Sequence, residues 1–321
     1  MGIHKNITLN TAVALALLAS GTFLTQSAVA EENLWVYATG TDTRPKGSWE
    51  LKLGTVSRLG KADSHYEFHD VHAEVEYGVS DKLTVGAELM FFNHNYSTTN
   101  PDLQPYFDTQ GGAGGSFKNT SLGGYEIKAK YNILSPYKDS FGFSLGFAFD
   151  HRYKYRLDGA DISQNAIEIY GYFQKNFLDD TLVFAFTPKI EFENRTSPGV
   201  IEEEIAFDFS VGASYRVAPK WFVGVEFRHQ SDYLNPQEDG VYDPDLKRSK
   251  FGLEGFQLGS QHQNGNYFGP TVHFSEKQWW VTAGALFQVF GGGSVNAFVR
   301  DGKNWDEHES AHLRMTVGYE F

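Results

Sequence analysis

The chain has 321 residues, with 40 acidic and 27 basic side chains and a formal net charge of −13. This negative balance excludes nucleic acid as a partner, because nucleic acid binding needs clustered cations. The absence of cysteine excludes disulfides and thiolate metal sites. After residue 30 no segment approaches the roughly 18 consecutive apolar residues that a spanning helix needs, which excludes a helical membrane protein.

The first 30 residues have the composition of a secretory signal. Lys5 precedes an apolar run at 12–20, and the small residues 28–30 precede Glu31. A short charged region, an apolar core and a small-residue cleavage site in this order are typical of a cleaved signal peptide. The alternative is a buried N-terminal helix. We predict that residues 1–30 are removed, and we exclude them from the fold.

The rest of the chain repeats one pattern, in which apolar and polar or small side chains alternate. Residues 141–150 (FGFSLGFAFD) are one example, and residues 313–321 (LRMTVGYEF) are another, ending on Phe321. A period of two residues predicts β-strands. The predicted strands are 47–58, 68–79, 83–95, 120–133, 140–155, 165–177, 182–193, 203–217, 221–231, 266–274, 279–290 and 309–321.

Connection lengths and aromatic positions indicate which sheet these strands form. Short predicted connections (such as 80–82 and 178–181) alternate along the chain with the connections at the other end of the strands. Those at the other end include the long segments 96–119, 232–265 and 291–308. The remaining predicted connections at that other end are shorter, namely 59–67, 156–164 and 194–202. Aromatic side chains recur where strands meet the short turns, as in the girdle that lines a membrane boundary. These aromatic residues are Trp49, Tyr77, Tyr131, Phe141, Phe177, Tyr215, Trp221, Phe274, Trp279, Tyr319 and Phe321.

Strands in lipid must pair every backbone group, and only a closed sheet leaves no edge. We therefore predict an all-β fold, a transmembrane antiparallel up-and-down β-barrel of about 12 strands with short periplasmic turns and long extracellular loops. Residues 47–321 form the predicted barrel, and residues 31–46 precede it as a periplasmic N-terminal segment. Pro188 and Pro270 each remove a backbone donor, so their strands should pair irregularly there.

Three stretches of the sequence resemble known proteins of the Gram-negative outer membrane. The last strand, LRMTVGYEF, is similar to the closing strand of those proteins. This resemblance implies that Phe321 is recognised by the barrel-assembly machinery. Residues 38–54 (ATGTDTRPKGSWELKLG) and 267–289 (YFGPTVHFSEKQWWVTAGALFQV) resemble an uncharacterised, porin-like family of outer-membrane proteins, whose domain has no assigned function. The resemblance implies the outer membrane, with its lipid and lipopolysaccharide, as the location.

Polar residues opposite the lipid face should point into the barrel. Two alternatives follow: opposed cationic and acidic walls in a water-filled channel, or charges that pair across the lumen and fill it. Inward glycines, among them Gly142, Gly212 and Gly284, leave space and favour the channel. The predicted pore-lining residues are Glu74, Glu76, Glu88, Glu126, Lys128, Lys130, Asp150, Arg152, Glu168, Lys189, Glu191, Asp208, Arg216, Glu226, Arg228 and Arg314.

We predict a channel for passive diffusion of small hydrophilic solutes, not an enzyme, and no catalytic residue, metal ligand or cofactor is assigned. The alternatives are a rim-active enzyme acting on lipid, and a closed structural or adhesive barrel acting through its loops. An enzyme would need a serine or threonine beside His94, His229 or His312. We find no motif that couples them and no serine and histidine in one short strand segment.

Two predictions concern the connection at 232–265. Its acidic stretch 232–245 is interpreted as a solvated loop, with Ca²⁺ binding or bridging to lipopolysaccharide as alternatives. As the longest connection, 232–265 is also the candidate for a loop that folds inward and narrows the lumen.

Overall fold

The computed structural model describes residues 33–62, 64–98, 116–197, 200–238, 241–242, 260–293, 298–305 and 307–321. The predicted signal peptide lies outside the described residues. Among the residues that are described, no helix is long and apolar enough to cross a membrane.

The described chain is built from β-strands, which we number β1 to β15 in chain order. Strands β1 to β9, β11, β12 and β15 form one barrel, while β10, β13 and β14 are two-residue strands in the connections. The strands are β1 (Trp49–Lys61), β2 (Ser64–Ser80), β3 (Leu83–Thr98), β4 (Ser116–Leu134), β5 (Gly142–Lys154), β6 (Asp161–Phe177), β7 (Leu182–Ser197), β8 (Val200–Ala218), β9 (Trp221–Glu238), β10 (Val241–Tyr242), β11 (Ser260–Ser275), β12 (Trp279–Gly293), β13 (Val299–Arg300), β14 (Lys303–Asn304) and β15 (Ala311–Glu320).

The barrel closes because the first and last strands pair. Leu53 of β1 lies opposite Ala73 of β2 on one side and Val317 of β15 on the other. Every neighbouring pair around the barrel is antiparallel, including β9 with β11 and β12 with β15. Twelve strands thus leave no free edge, as lipid requires. The predicted fold class is confirmed.

The two faces of each strand differ as alternation predicts. In β5, Leu145 and Phe147 point outward and are 46% and 49% exposed, whereas Ser144 and Asp150 point inward and are buried. The aromatic side chains at the short-turn end also point outward. Exposed members of this girdle are Trp49, Tyr131, Phe141, Phe177, Tyr215, Trp221, Trp279 and Phe321.

Several strands extend further than their apolar alternation indicates. The connections predicted at 59–67 and 194–202 are only 62–63 and 198–199, because β2 begins at Ser64 and β7 continues to Ser197. Polar residues dominate these extensions. Beyond the apolar band a strand needs no lipid-facing side chains, so backbone pairing continues after the hydrophobic signal has ended.

The two prolines interrupt the ladders without shifting the register. On the β6 side, pairing stops between Tyr170–Lys189 and Phe173–Phe186, which leaves Pro188 unpaired there. On the β12 side, pairing stops between Phe268–Phe287 and Thr271–Gly284, around Pro270. The predicted irregular pairing at both prolines is confirmed.

Candidate functional site: the barrel lumen

The inward face of the barrel carries the charges predicted for it. In β4, Glu126, Lys128 and Lys130 alternate with the outward side chains Ile127 and Tyr131. Most of the predicted residues line one cavity of about 320 Å³ inside the barrel. Those on its surface are Glu74, Glu76, Glu88, Glu126, Lys128, Lys130, Asp150, Arg152, Lys189, Asp208, Arg228 and Arg314.

The other four predicted residues point inward but contact different groups. Glu168 and Glu191 lie 2.8 and 2.6 Å from the Lys189 ammonium. The Arg216 guanidinium lies 4.8 Å from the centre of the Phe222 ring. Glu226 binds backbone groups inside the barrel, as described below. A pore-lining role for the whole set stays a prediction.

Opposite charges alternate around the cavity wall. The Lys128 ammonium lies 2.6 Å from Glu74 and 3.6 Å from Glu126, and the Arg152 guanidinium lies 2.8 Å from Asp150. These pairs join residues on the same or nearby strands, so they neutralise the wall locally and leave the cavity beside them. The water-filled channel with opposed walls and the filled lumen both stay predictions.

Residues 33–46, here called the N-terminal segment, run inside the barrel across its short-turn half. The Glu226 carboxylate accepts hydrogen bonds from the backbone N–H groups of Val36 (3.0 Å), Tyr37 (2.8 Å) and Ala38. Glu226 is fully buried. One carboxylate thus satisfies three consecutive backbone donors that the interior would otherwise leave unpaired. The sequence predicted this segment as a periplasmic stretch that precedes the barrel. Its position inside the barrel was not predicted.

Further polar contacts hold the segment along its length. Lys130 donates to the Gly40 carbonyl at 2.7 Å, and the Ser144 hydroxyl donates to the Thr41 carbonyl at 2.6 Å. Its apolar residues Leu34 and Trp35 pack with buried side chains of β7 and β9. The segment is therefore anchored to several strands rather than to one.

Inward glycines make room for this segment. A Cβ atom on Gly212 would lie 2.4 Å from the Trp35 indole nitrogen, and one on Gly142 would lie 2.4 Å from the Thr41 hydroxyl oxygen. The space beside these glycines, predicted from the sequence to favour a channel, is thus occupied by the N-terminal segment. The inward glycines therefore indicate a close approach between the barrel backbone and side chains of the segment, not open volume.

Arg44 fixes the end of the segment at the seam where the barrel closes. Its guanidinium lies 2.7 Å from Glu50 of β1 and 3.2 Å from Glu320 of β15. Glu50 also accepts a hydrogen bond of 2.6 Å from the Trp280 indole. A planar guanidinium can reach two carboxylates at once, so Arg44 bridges the first and last strands.

The opposite end of the lumen is narrowed by residues 155–160, 298–305 and 307–310, here called the loop closure. Tyr66 and Tyr96 donate hydrogen bonds to the carbonyls of Leu157 (2.9 Å) and Asp158 (3.0 Å). Phe298 and Trp305 pack against the aromatic cluster that these tyrosines form with neighbouring side chains. The sequence predicted 232–265 as the inward loop, and most of that connection lies outside the described residues.

Glu309 is the charged centre of the loop closure. Its carboxylate lies 3.7 Å from Arg58, 3.4 Å from Arg156 and 3.2 Å from His312. Burial alone would raise the pKa of Glu309, but the His312 hydrogen bond and the positive charges of Arg156, Lys61 and Arg58 hold it well below its usual value. Glu309 is therefore an anion that ties two strands and a connection together.

The three histidines singled out from the sequence have different surroundings. His94 and His312 point inward; His94 lies 2.9 Å from the Arg156 carbonyl, and His312 lies beside Glu309. His229 points to the outer face, where its Nε2 lies 3.2 Å from the Ser231 hydroxyl and its Nδ1 lies 2.8 Å from the Asn266 side-chain oxygen. The expectation that no serine and histidine share a short strand segment is wrong. A His-x-Ser spacing on one strand face could have revealed the pair.

Comparison with known sequences assigns the chain to a family. Residues 27–321 match the model of a family of unknown function (DUF6662). The chain belongs to that family. No curated protein matches the sequence significantly.

Solved structures resemble this DUF6662 protein in fold. The COG4313 outer membrane channel from Pseudomonas putida F1 superposes with a TM-score of 0.56 at 11% identity, over 88% of this chain and 98% of that one. The KdgM porin in complex with oligogalacturonate has a TM-score of 0.44 at 10% identity, over 85% and 99%. The NanC porin has a TM-score of 0.45 at 9% identity, over 84% and 98%. At this low identity the likeness to the COG4313 channel shows the fold alone, that of an outer-membrane β-barrel.

Proposed function

We propose that this DUF6662 protein is a porin-like channel of the Gram-negative outer membrane, through which small hydrophilic solutes diffuse passively and without a catalytic step. The observation that carries the proposal is the charged cavity inside a closed barrel, bounded by side chains of both signs. A lumen lined by interleaved carboxylates, ammonium and guanidinium groups can replace the hydration of polar solutes. The likeness to an outer membrane channel gives independent support.

The N-terminal segment belongs to this proposal as the element that controls passage. Asn33, Trp35 and Tyr37 form part of the cavity surface, so the segment narrows the route toward the short-turn end. Residues 36–41 contact the wall mostly through hydrogen bonds of their backbone groups, and water can replace each of these when that part of the segment moves. We infer that solute flow rises when the segment is displaced from the lumen.

Export and assembly complete the proposal. Residues 1–30 direct the chain through the inner membrane into the periplasm, and the barrel-assembly machinery recognises the exposed aromatic end at Phe321, which is 47% exposed. The outward apolar side chains contact outer-membrane lipid, and the long connections face lipopolysaccharide. In a cross-linking experiment, the yield of product with the assembly machinery should be higher for the wild-type protein than for the Phe321→Ala variant.

Single-channel recording in planar bilayers tests the proposed function. Stepwise conductance is the expected result, and its ion selectivity should change in Lys128→Gln, which removes a charge from the cavity. The matched control is Lys220→Gln, which removes the same charge from a short turn, where Lys220 pairs with Glu276. If neither the wild type nor Glu226→Ala, in which we expect the N-terminal segment to be displaced, conducts at any voltage, the channel is refuted. The protein would then be a closed structural barrel.

A further inference from the structure

The outer face of the barrel carries a polar triad that the channel does not use. His229 and Ser231 alternate along β9, and Asn266 lies directly opposite His229 on β11. The serine hydroxyl, the imidazole and the side-chain amide form one hydrogen-bonded chain. We propose that Ser231, His229 and Asn266 form a hydrolase site for ester-linked acyl chains of membrane lipid.

Hydrogen bonds orient each member for this role. The Asn266 side-chain nitrogen donates to the Asn264 side-chain oxygen at 3.3 Å, which turns the Asn266 oxygen toward His229. That oxygen can only accept, so Nδ1 of His229 carries the ring proton and Nε2 is left as an acceptor for the Ser231 hydroxyl. A nucleophile, a base and a group that orients the base are thus arranged in the order that acyl transfer requires.

The triad lies at the depth of the lipid headgroups. Trp221 begins β9 in the aromatic girdle and is 46% exposed. A tilted strand crosses the apolar band in about 9–11 residues, so Ser231 lies close to one spanning length from that girdle. The outward residues between Trp221 and His229 on β9 are apolar, namely Val223, Val225 and Phe227. Ester bonds of the opposite leaflet occupy this same boundary.

Ser231 is buried, and aromatic residues occupy neighbouring outward positions. Ser231 is 2% exposed, and Phe207 lies opposite it on β8. The rings of Phe207 and Tyr233 lie 5.6 Å apart on the same outer face. The Ser231 hydroxyl also lies 3.4 Å from the Phe207 carbonyl. Because Phe207 is the outward neighbour of Ser231 on β8, we expect its ring to be the gate that an acyl chain displaces to reach the nucleophile.

The reaction balances with water as the second substrate. The Ser231 oxygen attacks the ester carbonyl carbon while Nε2 of His229 takes the hydroxyl proton. The tetrahedral intermediate collapses, the C–O bond of the ester breaks, and His229 returns the proton to the departing alcohol. Water, activated by His229, then hydrolyses the acyl-serine and releases a fatty acid.

Other polar pairs on the outer face supply matched controls. The Ser57 hydroxyl lies 2.7 Å from Nδ1 of His69, and Nδ1 of His151 lies 2.9 Å from the Asn165 side-chain oxygen. Each contains part of the triad, serine with histidine or histidine with asparagine. His229 is the histidine among the described residues that joins a serine hydroxyl to an amide oxygen, so the proposal predicts activity at Ser231 and none at Ser57.

Covalent labelling tests the nucleophile. Purified full-length protein in lipid vesicles is treated with a fluorophosphonate probe, and the modified peptide is identified by mass spectrometry. We expect labelling at Ser231 in the wild type, faster labelling in Phe207→Ala, none in Ser231→Ala and the wild-type rate in Ser57→Ala. His229→Gln should slow labelling roughly 100- to 10,000-fold. Asn266→Ala should slow it as well, and Asn266→Asp, which keeps an acceptor, should restore it.

Two outcomes of labelling overturn the proposal. One is that Ser231 is modified neither in the wild type nor in Phe207→Ala. Heat-dependent mobility on gels must show that both proteins are folded. The other is labelling of His229→Gln at the wild-type rate, which would remove the base from the mechanism.

Fatty acid release then identifies the acyl source. Vesicles of phosphatidylethanolamine with phosphatidylglycerol form one arm, and vesicles that contain lipopolysaccharide form the other. Release in either arm that is lost in Ser231→Ala supports the site and names its substrate, whereas no release in both arms refutes the action on lipid. Single-channel conductance of Ser231→Ala should equal that of the wild type, so failure of this proposal and failure of the channel are distinguishable.

Discussion

The lumen is narrowed at both ends, and the two elements that narrow it are held in different ways. Residues 33–41 of the N-terminal segment are fixed by backbone N–H groups that donate to Glu226 and by carbonyls that accept from Lys130 and Ser144, whereas Arg44 fixes the end of the segment near β1. The loop closure is fixed by the anion Glu309 between two arginines, and by aromatic packing. Residues 33–41 thus depend mainly on hydrogen bonds of peptide groups, whereas the loop closure depends on buried charges, as Arg44 does at the seam.

This difference indicates which end can open. Peptide groups that leave a protein partner regain hydrogen bonds with water, so releasing residues 33–41 while Arg44 stays in place costs little net hydrogen-bond energy. Separating Glu309 from Arg58 and Arg156 leaves charges in a poorly hydrated space, which is much more costly. The segment is also joined directly to a single strand, β1, whereas the described connections of the loop closure run between two strands. We therefore infer that the short-turn end is the movable one.

The largest expected effect comes from tying the N-terminal segment to the wall. A Cβ atom on Gly284 would lie 3.0 Å from a Val36 methyl carbon, so cysteine side chains at these two positions would be in contact. Since the chain contains no cysteine, the double variant Val36→Cys/Gly284→Cys can form one bond only. Conductance in planar bilayers should be lost under oxidising conditions and return on reduction.

Each single cysteine variant serves as the control for this lock. Both should conduct like the wild type under oxidising and reducing conditions. Undiminished conductance of the oxidised double variant, with the disulfide verified by mass spectrometry, would show that solutes pass without movement of the segment.

Removing the charge from Glu309 should have the next largest effect. In Glu309→Gln, Arg58 and Arg156 lose their shared buried anion, and breaking such a pair from one side costs about 3–5 kcal/mol. The free energy of unfolding, measured by denaturant titration in lipid, should fall accordingly. Glu307→Gln is a matched control, because Glu307 lies 4.0 Å from Arg156 and is less buried.

The effect of Glu309 should depend on pH in a defined direction. The pKa of Glu309 is held well below its usual value in the folded chain. A carboxyl group with a lowered pKa stabilises the fold at pH values above its unfolded pKa, about 4.3, and loses this contribution as the pH falls through the folded pKa. The stability difference between wild type and Glu309→Gln should therefore be constant above about pH 5 and shrink under stronger acid. A constant difference throughout would contradict the assignment.

A smaller effect is expected at Glu226, with a different readout. Glu226→Ala removes the acceptor of three backbone N–H groups, each of which costs about 1–3 kcal/mol if it stays buried and unpaired. The segment can avoid this cost by moving into water. Conductance should rise, and a cysteine placed at Ala38 should react faster with a membrane-impermeant maleimide.

Glu276→Ala is the control for Glu226, since it removes a carboxylate from an exposed turn at the same end of the barrel. Equal maleimide rates in Glu226→Ala and Glu276→Ala would mean that Glu226 does not hold the segment.

The barrel could be predicted from sequence because its signals are local and repeated. Alternation, girdle aromatics and short turns each recur strand after strand, so errors in single boundaries leave the architecture unchanged. Inward charges such as Lys128 and Asp208 followed from the same alternation. The predicted strand boundaries were wrong where polar extensions of the strands, as at Ser64, pair their backbone without facing lipid.

Other features depend on contacts between distant parts of the chain. Nothing in residues 33–46 states that Trp35 fits against Gly212, since that match exists only after closure of the barrel. The meeting of Glu309 with Arg58 and Arg156 likewise joins three separate stretches. The triad could be predicted from the sequence only in part. His229 and Ser231 are recognisable as a pair on one strand face, whereas Asn266 becomes their neighbour only through the pairing of β9 with β11.

The smallest expected effect tests the seam that Arg44 bridges. Lysine in place of Arg44 keeps the positive charge but offers a point charge instead of a fork, so it can hold Glu50 or Glu320 but not both in the same geometry. Loss of one hydrogen bond to a charged group costs about 1.5–3 kcal/mol, and the free energy of unfolding should fall by that amount. Arg300→Lys, beside the exposed Asp301 at 4.0 Å, should change it by less than about 1 kcal/mol. If both substitutions have the same small effect, Arg44 positions the N-terminal segment without stabilising the closure of β1 with β15.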